Sequence, residues 1–238
     1  MASTSKRDDF GLAIETSGEM GSVALGQGAR ILEARSFPAA LRHATDLLPT
    51  VDILCRSHGA SPDRIGRVFI SLGPGSFTGL RIGLTAARML AFARGAKLVG
   101  VPSLEVVAQN ALEADPVPSR VAVIVDAKRG RVFGAVFALQ GGKFVGVQGP
   151  AEVEPLPFLA AQGSECAVLG EGIAQHHTAV EASGLRILPE ALRRPRAGAV
   201  YARGTDRAAR GRFDDPRMLV PLYVRPPEAE EKWAQRHT

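Results

Sequence analysis

Two stretches of this chain repeat one pattern at an offset of 111 residues in a total of 238. Leu12–Leu25 reads LAIETSGEMGSVAL, and Val123–Val136 reads VIVDAKRGRVFGAV. Each is an apolar run ending in an acid, Glu15 or Asp126, followed by a short glycine-containing turn and a second apolar run. That is the signature of a β-hairpin. A lone hairpin cannot bury its apolar face, so each must open a larger sheet. An offset close to half the chain then predicts two similar lobes.

Between the hairpins the pattern alternates. A helix is predicted over His43–Ser57, a strand over Val68–Leu72, a helix over Thr78–Arg94 and a strand over Leu98–Val101. Another helix follows Pro102, over Ser103–Leu112, with Ser103 as its N-cap. Pro49 should start or kink the first helix, because proline lacks the N–H and clashes with the preceding turn. The DPVPS run at Asp115–Ser119 reads as a hinge. Alternation resumes beyond it, with a strand at Ala167–Leu169. The fold class is α/β. The expected division is a disordered lead-in at 1–9, a first lobe at 10–114, a second at 115–225 and a tail at 226–238 containing Trp233.

Composition narrows the class. Apolar residues are 45% and charged residues 22%, as in ordinary globular chains. No apolar run approaches the roughly 20 residues of a membrane helix. The opening MASTSKRDDFG has no apolar core for a secretory signal. Cys55 and Cys166 form no CxxC, which argues against a zinc site or disulfide framework and fits a reducing cytoplasm. The net charge is +5, and 24 of the 29 basic residues are Arg. Arg193, Arg194, Arg196, Arg203, Arg207, Arg210 and Arg212 cluster with only Asp206 opposing them. Such a run is either a phosphate-contacting surface or a solvated helix face. No aromatic pattern of the common RNA-binding modules accompanies it.

The run VFISLGPGSFTGLRIG, Val68–Gly83, joins a strand to a helix through a glycine-rich turn. It lacks the Gly-Lys-Ser/Thr end of a Walker A loop and the spacing of the dinucleotide fingerprint. Two readings stand. Gly73, Gly75, Ser76 and Thr78, with Glu15 and Asp126, form a candidate phosphate-binding turn. Alternatively the turn is a strand–helix corner capped by Ser76 or Thr78, and the acids bond the N–H groups of their own turns. Spacing alone favours the corner.

The duplicated, acid-ended hairpins resemble the actin-like, sugar-kinase-like fold, which is ribonuclease H-like in each lobe. In that fold the hairpins grip phosphates and the acids hold a hydrated metal. More specifically, LAIETS-x4-SVAL, His43 just before DLLPTVDIL, GPGSFTGLRIG, VGVPSLEVVAQNA, IVDAKRGRVF and the closing LVPLYVR resemble, in order, the TsaB family, also called YeaZ. The resemblance runs from Leu12 to Arg225 and fades between Gly141 and Glu190. It implies a non-catalytic partner of TsaD, the transferase that places threonylcarbamoyl on the tRNA adenosine beside the anticodon, with TsaE as an ATPase helper. It implies a TsaD heterodimer, a homodimer when alone, tRNA met only indirectly, and no membrane. It also implies no tightly bound cofactor in this chain by itself, with ATP acting at the partner complex. The chain has Ile14-Glu15-Thr16 where the family usually reads I-D-T. The longer Glu would displace a bridged metal or water.

The histidines offer no metal pair. A helical H-x-x-x-H chelate, which the catalytic sibling uses, is absent. His43 and His58 are fifteen apart, His176 and His177 are adjacent and should diverge, and His237 lies in the tail. His43 reads as a packing residue or a partner for Asp46. Gly73-Pro74-Gly75-Ser76-Phe77 does not match the G-x-S-x-G nucleophile elbow, so Ser76 is a superficial peptidase candidate only.

Two helices read as partner surfaces. Gly79, Gly83, Ala87 and Ala91 recur every four residues on the long helix, a stripe that admits close approach. Leu80, Leu84 and Leu90 flank that stripe, and Ile82 and Met89 lie away from it, so the helix is small or apolar on more than one side. On the first helix Leu47, Leu48 and Val51 mark an apolar face. The expected interface is therefore His43, Leu47, Leu48, Val51, Gly79, Ile82, Gly83, Ala86, Ala87 and Leu90. By resemblance these helices would pair with the same helices of TsaD or of a second copy. Gly83→Arg or Ala87→Arg should then abolish partner binding and leave the fold intact. The rival readings are an actin-fold kinase or ATPase that binds ATP with Mg²⁺, a peptidase, and an RNA-binding module.

Overall fold

The computed structural model describes residues 10–37 and 43–224. The expected lead-in at 1–9 and the tail at 226–238 lie outside the described residues.

The first hairpin is β1 (Phe10–Glu15) and β2 (Gly21–Gln27), extended by β3 (Arg30–Phe37). Then come α1 (His43–Ser57), β4 (Ile65–Ser71), α2 (Phe77–Arg94) and β5 (Lys97–Val101). After α3 (Ser103–Gln109) the second hairpin is β6 (Arg120–Lys128) and β7 (Arg131–Gln140), extended by β8 (Lys143–Val153). The rest is α4 (Pro155–Ala160), β9 (Cys166–Leu169), α5 (Gly172–Gln175), α6 (His177–Ala182), β10 (Arg186–Ile187) and α7 (Ala197–Ala209). The two sheets have the same design, in the orders β3-β2-β1-β4-β5 and β8-β7-β6-β9-β10. In each, an antiparallel three-stranded meander is followed by parallel strands. The chain thus adopts the expected two-lobed, actin-like α/β architecture.

Strand alternation places the helices. Leu12, Ile14, Val68 and Ile70 face α1 and α2, forming one core with Leu47, Leu54, Leu84 and Ala87. Ala13, Phe69, Val99 and Val101 face the other way, against Val200 and Tyr201 of α7. In the second lobe, Val121, Val123, Ala135 and Phe137 pack on Leu104 and Val107 of α3. Ile124, Val136 and Val168 pack on Phe158, Ile173 and Val180 of α4–α6.

This packing corrects the division by chain order. The helix α3 precedes the Asp115–Ser119 run but packs on the second sheet, and α7 follows it but packs on the first. Each crosses over because its apolar face completes the other lobe's core. Glu105 of α3 clamps the exchange, with ion pairs to Arg203 at 2.5 Å and Arg207 at 2.7 Å on α7. Beyond α7 the chain stays with the first lobe. Asp214 bridges to Leu98 on the β5 edge, and the Leu222 N–H donates to the Leu72 carbonyl at 2.7 Å.

Local differences have local causes. Pro49 sits inside a continuous α1 rather than starting it. Ser103 is not an N-cap; Pro102 holds that position, and the Ser103 hydroxyl instead accepts the Gly73 N–H at 2.9 Å. The edge strand β3 escaped the pattern reading because its half-exposed residues alternate without a strong apolar side.

Candidate functional site

The two acids at the strand ends serve their own turns. Glu15 is fully buried, and its Oε1 accepts the Ser17 N–H at 2.5 Å and the Ser17 hydroxyl at 2.6 Å. Its Oε2 and the hydroxyls of Thr16 and Ser71 make no hydrogen bond of ordinary geometry among the described residues, although the Ser71 hydroxyl and the Gly18 N–H lie near enough to bear on the carboxyl. Burial pushes the Glu15 carboxyl up, and the bonds from Ser17, with smaller help from Ser71 and the Gly18 N–H, only partly offset it. Asp126 is different. Burial raises its carboxyl, but the bonds from Lys128 and His176 outweigh it and hold the group below its ordinary value. The Lys128 ammonium lies 2.8 Å away and His176 Nε2 3.1 Å. His176 and His177 diverge as expected, the latter facing Glu181 at 3.3 Å. Among the described residues no group of three His, Cys, Asp or Glu side chains could hold a metal.

The glycine-rich turn is a capped corner. Ser76 is the N-cap of α2, and its hydroxyl accepts the Gly79 N–H at 3.2 Å. The hydroxyl makes no hydrogen bond to a histidine or carboxylate among the described residues, so Ser76 has no triad around it. Thr78 is exposed in the first turn of α2. Gly75 and Gly79 lie against the backbone of Ser17 and Thr16, and Gly73 is left-handed with φ 102°. These glycines let the corner close over the end of β1, which explains their presence without a phosphate.

The small stripe of α2 is an internal seam. Gly79, Gly83, Ala86, Ala87 and Ala91 are all buried against the chain's own sheet. Leu47 and Val51 of α1 are buried there too, while Ile82 and Leu90 are half-buried at its margin. Gly83→Arg and Ala87→Arg would therefore damage the fold itself, contrary to the sequence expectation. His43 is the first residue of α1; its side chain lies outside the described residues. Of the expected interface residues, α1 and α2 turn Leu48 outward, together with Ile53, Phe77, Met89 and Phe92, each at least 40% exposed. On α2 they lie with Arg81 and Thr85 at helical spacing along one side. Met89 was legible as the second apolar side. Ile53 and Phe92 were missed because helical periodicity shows that two sides are apolar, not which one the sheet covers.

The lobes also meet through a carboxyl that the sequence did not single out. Glu171, after β9, accepts the Glu19 N–H from the first hairpin at 3.3 Å, and Arg194 lies 4.0 Å away. Burial pushes Glu171 up to about 7, and the nearby charges of Glu19 and Glu15 add to that. A lone Glu in a divergent segment carries no sequence signal of such a position.

Comparison with known proteins adds to this geometry. A family model described as TsaD, tRNA N6-adenosine threonylcarbamoyltransferase, matches residues 38–233. The tRNA threonylcarbamoyladenosine biosynthesis protein TsaB of Bacillus subtilis is 28% identical over 94% of this chain and 97% of its own length. The TsaB protein of Escherichia coli is 34% identical over 53% of this chain and 54% of its own. A solved Pseudomonas aeruginosa protein, described as uncharacterized with similarity to peptidase YEAZ, superposes with a TM-score of 0.79. It is 28% identical and is covered in full by 91% of this chain. The chain belongs to the TsaB (YeaZ) family.

Proposed function

We propose that this chain is a non-catalytic accessory subunit in tRNA threonylcarbamoyladenosine synthesis, docking a TsaD-type transferase on the outward face of α1 and α2. The observation that carries the reading is that face. Leu48, Ile53, Met89 and Phe92 are each 49–58% exposed on two neighbouring helices whose other sides already fill the core. Several large apolar side chains left exposed on neighbouring helices are what an interaction site presents. The relatives named TsaB supply the process, and the match to the TsaD family model fits a partner built on the same fold. In the absence of TsaD the same face would join two copies, and a TsaE-type ATPase would act on the assembled complex. Nucleotide would act at the partner complex, since Glu15 is buried and already engaged by its own turn. That arrangement disfavours the kinase or ATPase reading, and the capped Ser76 disfavours a peptidase.

The test is sizing with light scattering of the chain mixed with TsaD from the same source. A discrete heteromer is expected, and TsaD's tRNA-modifying activity should depend on it. Met89→Glu with Phe92→Glu should abolish the heteromer and keep the thermal transition. A heteromer unaffected by both charges would overturn the assignment of this face.

A further inference from the structure

The arginine run near the C-terminus divides once the chain is folded. Arg203 and Arg207 are held by Glu105, and Arg196 lies 2.8 Å from Glu113. Arg193 donates to the Leu188 carbonyl, and Arg194 approaches Met20 and Glu171. These five serve the fold. Arg210 and Arg212 do not: both are exposed and neither makes an ion pair or side-chain hydrogen bond among the described residues.

Two cations from far earlier in the chain join them. Arg67 and Lys97 are register partners on adjacent strands β4 and β5. Each lies two residues before a residue packed on α7, Phe69 and Val99, so both point to the α7 side of the sheet. Arg67 bears electrostatically on Tyr201 of α7, and the Lys97 ammonium sits 4.5 Å from the ring centre of Phe213. Phe213 is 39% exposed and follows Arg212 directly. The backbone N–H groups of Arg210 and Arg212 both donate to the Arg207 carbonyl, which holds the two guanidinium stems in one turn. Neither Arg67 nor Lys97 has a carboxylate partner among the described residues. The nearby acids are occupied. Asp206 pairs with Lys143 and Arg203, Asp214 accepts the Gly100 N–H at 2.7 Å, and Asp215 accepts the Arg217 N–H at 2.8 Å.

We propose that Arg67, Lys97, Arg210 and Arg212, with Phe213 among them, form a contact surface for the phosphate backbone of RNA. Unpaired cations on one surface attract a polyanion by releasing its counterions, and an exposed aromatic ring among them offers a stacking face for an unpaired base. The strip lies on the α7 side of the sheet, opposite the α1–α2 layer. One chain could therefore hold a protein on one face and RNA on the other. The choice of tRNA as probe rests on the tRNA-modification reading above. The binding itself is measured without TsaD, so its failure leaves the docking reading to its own test.

The experiment is fluorescence anisotropy of a labelled tRNA transcript with the full chain, titrated at several salt concentrations. Arg210→Glu with Arg212→Glu should weaken binding at least about tenfold at low salt and reduce the salt slope by about 2. The charge-matched control is Arg30→Glu with Arg120→Glu, both exposed and carried on β3 and β6 rather than on β4, β5 or the turn after α7; it should change affinity by less than about threefold. Phe213→Ala should weaken binding several-fold with the slope unchanged. Circular dichroism checks that each variant is folded, and Lys97→Gln gives a milder change at the same surface. Equal losses in the two double variants would overturn the proposal. So would the absence of tRNA binding by the parent chain at low salt, or binding to anionic lipid vesicles but not to tRNA.

Discussion

Gly83 of α2 faces the Thr16 side chain directly: a Cβ built on Gly83 would fall well inside contact distance of Thr16 Oγ1. One turn earlier, a Cβ on Gly79 would run into the Thr16 backbone carbonyl. Gly83→Ala should therefore destabilise the chain by about 2 kcal/mol through overpacking. Thr16→Ala should recover part of that loss, because the obstructing atom is a side-chain oxygen. It should recover none of the loss from Gly79→Ala, where the obstacle is backbone. Urea denaturation of the single and double variants measures both couplings.

Glu171 makes the contact between the lobes pH-dependent. Its folded value of about 7 lies above its ordinary 4.5. The folded state therefore binds the proton more tightly, and the group's contribution is full below about pH 4.5 and lost as pH rises through 7. Glu171→Gln retains an acceptor for the Glu19 N–H and has no charge to bury. It should raise the denaturation midpoint more at pH 8 than at pH 5. An equal gain at both pH values would show that the carboxyl is not held protonated.

Glu105 ties the two exchanged helices together. Glu105→Ala would leave Arg207 without its carboxylate and Arg203 with Asp206 alone, at sites that are mostly buried. The expected cost is about 3 kcal/mol. Because the pair ties α3 to α7, hydrogen exchange should rise along both helices in this variant, and less in α1 and α2.

Ser76→Ala removes the cap of α2 and should cost about 1 kcal/mol. If the chain is an accessory subunit, TsaD activity at saturating concentrations of the variant should stay near that of the parent chain. Loss of activity in a fully folded, fully bound Ser76→Ala chain would give the hydroxyl a chemical role.

Much of this protein was determined by sequence alone. Apolar runs ending in Glu15 and Asp126 dictated two hairpins, since alternation and turn residues act locally. Their near-half-chain offset fixed two similar lobes, and helical periodicity placed α1 and α2 within a residue. The family was legible in GPGSFTGLRIG and its flanking runs. Tertiary structure decided the rest, because each remaining choice depends on contacts between distant residues. Periodicity marked the Gly79–Ala91 stripe as a close-packing face, but only the position of Thr16 and Ile70 makes the chain's own sheet its partner and leaves Met89 and Phe92 outside. Sequence grouped seven arginines. Only the fold separates those that Glu105 and Glu113 neutralise from Arg210 and Arg212, which lie exposed beside Phe213 under the Lys97 ammonium. Burial and charge pairing are sums over neighbours far apart in the chain, and a linear pattern does not contain them.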